Sequence, residues 1–258
     1  MFEKKCIQFA LCLTAERSEH MEPRKELSAS VPGPPILERS ENTAHLPKSE
    51  QVCRRIKDLI MHHVLKPGQK ISEDELAGML QTSRTPVREA LRKLSGDGLV
   101  TIYPKRYAQV TYFTPEMARA LGAVRMSQDI LSGRLAICHG SDAEFAQLRQ
   151  LADACEASSR AGDLYGRITA DRNFHLRITE IGKNELLLRY QREVYLRIHL
   201  IQLQYVSLED SAARRIACHN SLIDALCRRD EAAFTRTTCR ICQEMYGLEP
   251  ELVELYSR

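Results

Sequence analysis

The stretch from Thr82 to Gly98 limits the fold more than any other part of this 258-residue sequence. It begins with hydroxyl residues and a proline, which can cap and open a helix, and it ends with two glycines, which can close one. Between them apolar residues recur at helical spacing, and basic residues recur every four positions. The apolar positions are Val87, Leu91 and Leu94, and the basic ones are Arg84, Arg88 and Arg92. The pattern predicts a short amphipathic helix that presents a row of guanidinium groups.

The flanking segments extend this helix into a larger motif. Residues 72–80 predict a second short helix, opened by a Ser-x-x-Glu capping box at Ser72 and Glu75 and followed by a three-residue turn. Residues 99–103 and 108–112 are β-branched and aromatic runs around a basic tip, which predicts a hairpin. A helix from Lys48 to Lys66 is predicted upstream, because apolar residues recur there at intervals of four. Three helices and a hairpin constitute a winged helix-turn-helix, which favours DNA binding.

Four segments of this region resemble the winged helix-turn-helix of GntR-type bacterial transcription regulators. They are Lys66-Pro67-Gly68, Ile71–Leu80, Ser83–Leu94 and Gly98–Val100. The resemblance implies that Arg84, Thr85 and Arg88 reach bases or phosphates and that Ser83 reaches a phosphate. Where the family usually has a glycine at the wing tip, this chain has Tyr107. The candidate DNA-binding residues are Ser83, Arg84, Thr85, Arg88, Arg92, Lys105, Arg106 and Tyr107.

Charge, length and cysteine usage set the domain plan. Residues 48–112 contain 12 basic and 7 acidic residues, so the excess behind the net charge of +3 lies in the predicted DNA-binding region. We expect a disordered tail at 1–47, the winged helix-turn-helix domain at 48–112 and an all-α domain at 113–258.

The nine scattered cysteines favour a reducing cytoplasm. No apolar run approaches the ~20 residues of a membrane span, and no export signal is expected.

The C-terminal region has helical periodicity almost throughout. Its breaks at glycine, serine and asparagine clusters predict helices at 115–139, 142–160, 164–181, 184–206, 208–229 and 230–246. The predicted fold class is therefore mostly α, with an N-terminal winged helix-turn-helix of three helices plus a hairpin wing, followed by an all-α bundle of six to seven helices.

Three residues of the predicted bundle have the chemistry of metal ligands. Asp171 and His175 lie four apart, so their side chains project from one face of a helix, and His219 lies on a later helix. A carboxylate and two imidazoles make a divalent-metal site plausible. The alternative is an ordinary hydrogen bond along the helix face.

The same segments resemble the FCD domain, the effector-sensing bundle of the FadR branch of GntR regulators. In many members one Asp and three His bind a metal beside a small carboxylate effector. By this resemblance Asp171, His175 and His219 match three ligands, the fourth position is Ile241, and Cys242 is a candidate substitute. Three outcomes are open: a divalent metal of the zinc, nickel or manganese class on three residues completed by water or effector, such a metal on a site rebuilt with Cys242, or no metal, with His175 and His219 bonding the effector directly.

The resemblance also implies an effector site formed by Arg125, His175 and His219. Arg125 aligns with a family arginine, and a guanidinium can bind a carboxylate with two parallel hydrogen bonds. The alternative role of Arg125 is a salt bridge to Asp129, one helical turn further along.

The hypothesis from sequence is a cytoplasmic regulator, not an enzyme. It would bind a palindromic double-stranded DNA operator as a homodimer and respond to a small organic acid in the helical domain. Two alternatives remain: a metal-dependent hydrolase or lyase tethered to DNA, built on Asp171, His175 and His219, and a structural DNA-binding protein without an effector.

Overall fold

The computed structural model describes residues 45–104, 106–205 and 212–257, and the side chains of all of these except 212–216 and 257. Within these ranges the chain forms two compact units that meet between Thr111 and Tyr112. The expected disordered tail lies, apart from residues 45–47, outside the described residues. No helix in the described ranges is long and apolar enough to cross a bilayer.

The N-terminal unit contains three helices and a small antiparallel sheet. Its elements are α1 (Lys48–Met61), β1 (Lys70–Ile71), α2 (Glu73–Met79), α3 (Arg84–Gly96), β2 (Val100–Tyr103) and β3 (Tyr107–Val110). The strand order is β1-β3-β2, and Tyr103 faces Tyr107 at the closed end of the hairpin. The short strand β1, which the sequence pattern did not reveal, pairs with Ala108 and Gln109. The predicted winged helix-turn-helix is confirmed.

The predicted apolar faces of α1 and α3 form the core of this unit. Six side chains at the predicted helical spacing are at most 3% exposed: Val52, Ile56, Ile60, Val87, Leu91 and Leu94. Their burial removes apolar surface from water and holds α3 by one face, which leaves its opposite face at the surface.

The first helix ends earlier than predicted. We expected it to continue to Lys66, but it stops at Met61. His63 adopts a left-handed conformation (φ 61°), and the N–H groups of His63 and Val64 return to the C=O groups of Ile60 and Leu59. This hydrogen-bond pattern is the Schellman motif, and it closes the helix.

The C-terminal unit is a bundle of seven helices within the described residues. They are α4 (Pro115–His139), α5 (Asp142–Arg160), α6 (Leu164–Ile181), α7 (Glu185–Tyr205), α8 (Ala212–Cys227), α9 (Glu231–Tyr246) and α10 (Pro250–Ser257). The mostly α fold class and the bundle of six to seven helices are confirmed. The predicted start at 184 differs, because α7 begins at Glu185, and the predicted start at 208 lies outside the described residues.

The bundle packs around an apolar core, and one glycine sets how closely two helices approach. Phe145, Phe174 and Phe234 are at most 2% exposed in that core. A Cβ atom on Gly133 of α4 would overlap the ring of Phe234 on α9. The absence of a side chain at Gly133 therefore lets α4 and α9 pack tightly beside the polar cluster described below.

The chain enters α4 through a residue that is fixed by its backbone. The Phe113 N–H donates to Gln204 Oε1 (3.0 Å), and its C=O accepts from Gln204 Nε2 (2.8 Å) and from the Tyr205 hydroxyl. Thr114 then caps α4 by accepting from the Met117 N–H. The C-terminal end of α7 thus holds the start of the bundle.

Candidate DNA-reading helix and buried polar cluster

Helix α2 is fixed at both ends, and its C-terminal end forms the turn to α3. Ser72 Oγ accepts from the Glu75 N–H (3.1 Å) and Glu75 Oε2 accepts from the Ser72 N–H (3.0 Å), which is the predicted capping box. At the other end Gln81 is left-handed (φ 50°), and the Thr82 N–H bonds the Ala77 C=O as in a Schellman motif. The tight turn of a helix-turn-helix therefore forms here without a glycine.

The guanidinium groups of α3 lie on its exposed side, and two of them reach α2. The side chains of Arg84 and Arg88 are 67% and 56% exposed, and Arg92 is exposed as well. Arg88 donates to both carboxylate oxygens of Glu73 at 2.7 to 3.1 Å, and Arg84 pairs with Asp74. The hydrogen bonds from Arg88 lower the pKa of Glu73. The cationic row is thus exposed and partly paired with the first turn of α2.

The start of α3 presents two hydroxyl groups. Ser83 and Thr85 are both exposed. Ser83 occupies the N-cap position, yet its side chain makes no capping hydrogen bond to the helix. The Ser83 hydroxyl is therefore not committed to the helix start, where backbone N–H groups favour anions such as phosphate.

The wing carries the remaining predicted DNA contacts. Arg106 is exposed, and its N–H donates to the Tyr103 C=O (3.1 Å) across the turn. Tyr107 packs against Tyr103, with ring centroids 4.9 Å apart, and the Lys70 ammonium lies 4.7 Å from its ring centroid. Tyr107 thus has a packing role in place of the family glycine. Lys105 falls outside the described residues.

Arg125 of α4 is the centre of a buried polar cluster in the bundle. Its side chain is 1% exposed, and every nitrogen of its guanidinium group has a partner. Nε donates to Asp129 (3.1 Å) and to the Tyr195 hydroxyl (3.2 Å), and Nη1 donates to the Tyr246 hydroxyl (2.9 Å). Nη2 donates to His175 Nε2 (3.1 Å). The predicted salt bridge to Asp129 is therefore present, as one part of a larger network.

Asp129 is an internal carboxylate that occupies Arg125. Its two oxygens accept from Arg125, from Gln191 Nε2 (2.6 Å) and from the Tyr195 hydroxyl (2.9 Å). Asp129 and Gln191 are 4% and 0% exposed, so these hydrogen bonds lie in a low-dielectric interior where charge pairing is strong. Sequence analysis noted Asp129 only as an alternative partner for Arg125 and missed Gln191 and Tyr195.

His175 is a hydrogen-bond acceptor in this arrangement. Because arginine can only donate, His175 Nε2 must contribute its lone pair to Arg125, which places the hydrogen on Nδ1. Nδ1 lies 3.7 Å from Asp129 Oδ2. Burial, together with the charge of Arg125, lowers the pKa of His175 to about 4, so the ring is neutral near pH 7. Its metal-binding lone pair is already in use.

Asp171 and His219, which the sequence predicts to lie close together, are in direct contact. His219 Nε2 donates to Asp171 Oδ1 (3.1 Å), and Gln202 Nε2 donates to Asp171 Oδ2 (3.2 Å). Burial alone would raise the pKa of Asp171, but the hydrogen bond from His219 and the nearby charges hold it well below its ordinary value. The carboxylate is therefore ionised. His219 Nδ1 has no hydrogen-bond partner among the described residues.

The structure gathers a different ligand set from the predicted one. One ligand atom each of Cys155, Asp171 and His219 lie within 4.8 Å of one another, and all three residues are buried. His175 is absent from this group although Nε2 lies 3.9 Å from Asp171. Cys155 lies on α5, which the sequence motif does not include, so only the packing of three helices reveals it.

Cys242 is not in that group. It is 1% exposed on α9, and burial raises the pKa of its thiol to about 12. Ile241, at the fourth family position, is partly buried against the apolar core. The sequence predicts that Cys242 replaces the lost ligand, but the described packing does not bring Cys242 to Asp171 and His219.

A small cavity lies next to the cluster. Asp129, Ser132, His175 and Thr238 line it together with apolar side chains, and its volume is about 10 Å³. This is room for about one water molecule, not for an organic acid. An organic acid can reach Arg125 only if the surrounding side chains move.

A winged helix-turn-helix joined to a helical bundle with a buried polar cluster defines a class of protein, the DNA-binding transcription regulators that carry a separate sensing domain. Family models agree: "Bacterial regulatory proteins, gntR family" matches residues 48–110, and "FCD domain" matches residues 121–244. The chain belongs to the GntR family of transcription regulators with an FCD domain. Both families and the relatives described below are transcription regulators and not enzymes.

Individual relatives support this assignment. The HTH-type transcriptional repressor RspR of Escherichia coli K12 is 26% identical over 202 residues, covering 77% of this chain and 87% of the relative. A regulator from the TAR-I ttuE-ttuC' intergenic region of Agrobacterium vitis is 35% identical over 123 residues, or 46% and 72% of the two chains. The solved structure of E. coli McbR/YncC has a TM-score of 0.66 at 21% identity, covers 82% and 99% of the two chains, and shares the fold.

Proposed function

We propose that this transcription regulator binds a palindromic operator as a homodimer and is switched by a small carboxylate effector held at Arg125. One observation carries the proposal. Arg125 is almost fully buried and already binds a carboxylate, that of Asp129. An external carboxylate can exchange for this internal one, since it offers the same two oxygens to the same guanidinium.

The exchange supplies a mechanism for switching. Asp129 also accepts hydrogen bonds from Gln191 and Tyr195 of α7. When an effector carboxylate takes Arg125, Asp129 is left with α7 alone, and the packing of α4 against α7 changes. The cavity of about 10 Å³ implies that effector binding opens the bundle locally.

A homodimer is supported by an exposed apolar stripe on α4. Met117, Val124 and Leu131 recur every seven residues, and they are 44%, 47% and 44% exposed. Seven residues are two helical turns, so these side chains lie along one face. Two copies of the chain could bury these stripes against each other and present two reading helices to successive major grooves.

The contact with DNA belongs to the residues that extend from α3 and the wing. Arg84, Arg88 and Arg92 present exposed cations, and Ser83 and Thr85 present hydroxyl groups at the helix start. Lys105 and Arg106 are proposed from the sequence as phosphate contacts of the wing, with Tyr107 beside them. None of the seven described cysteines forms a disulfide, which agrees with a cytoplasmic site of action.

A divalent cation of the zinc, nickel or manganese class is part of the proposal. Asp171 and His219 would hold it, because they are a buried carboxylate and imidazole in direct contact. His175 could join only after Arg125 releases its Nε2. When bound, the cation supplies a positive charge that an effector carboxylate can ligate.

The variant Asp129→Asn tests the effector site. It removes the competing internal carboxylate and leaves Arg125 unpaired, so it should destabilise the chain by about 3 to 5 kcal/mol, the range for a broken buried pair. A carboxylate effector should restore stability, and should therefore raise the melting temperature of Asp129→Asn more than that of the wild type. The measurement is thermal unfolding with a panel of small mono-, di- and hydroxycarboxylates, followed by operator binding with each active acid.

Asp142→Asn serves as the matched control, because Asp142 forms an exposed pair with Arg229. If no acid stabilises either the wild type or Asp129→Asn, the effector proposal is wrong. The alternative of a regulator without an effector would then take its place.

A further inference from the structure

Cys155 is a buried thiol to which the family motif gives no role. It is 1% exposed on α5, and its Sγ donates to the Arg167 C=O over 3.7 Å. Asp171 comes from α6 and His219 from α8. Three helices therefore bring a thiol, a carboxylate and an imidazole to one interior point, with ligand atoms within 4.8 Å of one another. A small inward movement of these side chains would place each ligand atom at about 2.0 to 2.3 Å from a single metal ion.

The direct contact between the imidazole and the carboxylate shows where a cation would bind. His219 Nε2 lies 3.1 Å from Asp171 Oδ1, and a carboxylate can only accept, so the hydrogen on Nε2 is committed to Asp171. In the neutral ring Nδ1 then keeps a lone pair, and no described residue donates to it. His219 is 3% exposed, which makes an unpaired polar atom unfavourable. A metal ion between the two residues would take the place of the hydrogen on Nε2 and bind the carboxylate and the imidazole together, and the ring hydrogen would then be on Nδ1.

We infer that Cys155, Asp171 and His219 bind a thiophilic divalent cation of the zinc class, with Cys155 as a thiolate ligand in place of the one that Ile241 cannot provide. This inference rests on the proposed function, because it specifies the cation of the proposed effector site. Thiolate ligands favour zinc and disfavour manganese. On binding, the S–H bond of Cys155 breaks, its proton passes to solvent, and a sulfur–metal bond forms without a change of oxidation state.

His175 lies next to this ligand set but is not one of the three ligands. Its Nε2 accepts from Arg125 at 3.1 Å, so no lone pair remains for the metal while that contact persists. The three-ligand site leaves further coordination positions for water or for an effector oxygen.

The test is a titration of the full chain with cobalt(II), which reports sulfur ligation as a near-ultraviolet charge-transfer band. We expect the band in the wild type and in Cys242→Ser. In Cys155→Ser the band should be lost, and cobalt affinity should fall by more than about tenfold, the scale of losses at metal sites. Zinc should displace the cobalt, and manganese should not. The inference is overturned if wild type binds no cobalt, if Cys155→Ser keeps the band, or if Cys242→Ser loses it.

X-ray absorption of the zinc-loaded wild type tests the same point without a variant. One sulfur in the zinc coordination shell is expected, and a shell without sulfur overturns the inference. The two proposals fail separately. If the chain binds cobalt through sulfur but binds no carboxylate, the metal inference stands and the effector proposal is wrong. If the chain responds to a carboxylate but binds no cobalt, the effector proposal stands and the metal inference is wrong.

Discussion

At the scale of single residues, Arg88 forms an ion pair with Glu73 when no DNA is bound. A contact between Arg88 and DNA therefore has to compete with that ion pair. The side chains of Arg88 and Glu73 are 56% and 32% exposed, and pairs that are open to solvent add little to stability. A bidentate contact of an arginine with guanine gives about 1 to 3 kcal/mol of discrimination. Glu73 therefore orients Arg88 without preventing it from reaching a base.

Replacing Arg88 by Ala should weaken operator binding by about 1 to 3 kcal/mol and relax sequence preference, because a base contact is lost. Lys105→Ala should weaken operator and non-operator DNA alike and reduce the salt slope by about one, as expected for a phosphate contact. Fluorescence anisotropy with both DNAs at several salt concentrations measures each effect.

Glu73→Gln is the matched control, because it frees Arg88 and keeps every cation. We expect it to raise affinity for non-operator DNA more than for the operator. If Arg84→Ala and Arg88→Ala both retain wild-type operator affinity, α3 is not the reading helix.

Some of these residues could be predicted from sequence and others could not. Asp171 and His175 follow from their spacing on one helix, and Arg125 follows from the family motif. Cys155 could not be predicted, because its position beside Asp171 depends on how α5 packs against α6. The lone pair that His175 gives to Arg125 depends equally on the tertiary structure.

At the scale of elements, helix ends with a side-chain cap were predicted well. The bounds of α4, α5 and α6 coincide with the predicted 115–139, 142–160 and 164–181, because Thr114, Ser141 and Asp163 cap their starts. The end of α1 was wrong, because the left-handed residue that closes it is His63 and not a glycine. A histidine gives no signal for that conformation.

Helix α4 is apolar on two sides, which agrees with an interface on the side away from the core. Leu131→Glu should convert the proposed dimer to a monomer at micromolar concentration, because two buried carboxylates would face each other across the stripe. Leu255→Glu is the control, since Leu255 is 69% exposed on α10 and lies outside the stripe. Light scattering after size exclusion measures the mass. A Leu131→Glu chain that remains dimeric would rule out this face.

At the scale of the whole molecule, α7 connects the buried polar cluster to the entrance of the bundle. Gln191 and Tyr195 contact Asp129, and Gln202 contacts Asp171. At its end the same helix holds Phe113, two residues beyond the boundary with the DNA-binding unit. A displacement of α7 by an effector would therefore reach the segment that leads to the reading helix.

Gln204→Ala should uncouple the two activities. It removes both hydrogen bonds to the Phe113 backbone but touches neither the polar cluster nor α3. Operator affinity without effector and effector affinity without DNA should stay near wild type. The change in operator affinity caused by effector, expected at about 1 to 3 kcal/mol in the wild type, should shrink. Titrations of each ligand with and without the other measure it, and an unchanged coupling would exclude this route.

The hydrogen bonds from Gln204 of α7 reach the backbone N–H and C=O of Phe113, and they do not involve its side chain. Every amino acid except proline offers the same N–H and C=O, so nineteen of the twenty residues preserve the hydrogen bonds. These hydrogen bonds therefore exclude only proline at this position, whereas the size of the side chain is set by packing, because Phe113 is 4% exposed. The contact between α7 and the start of the bundle can thus survive any change of side chain that the core tolerates.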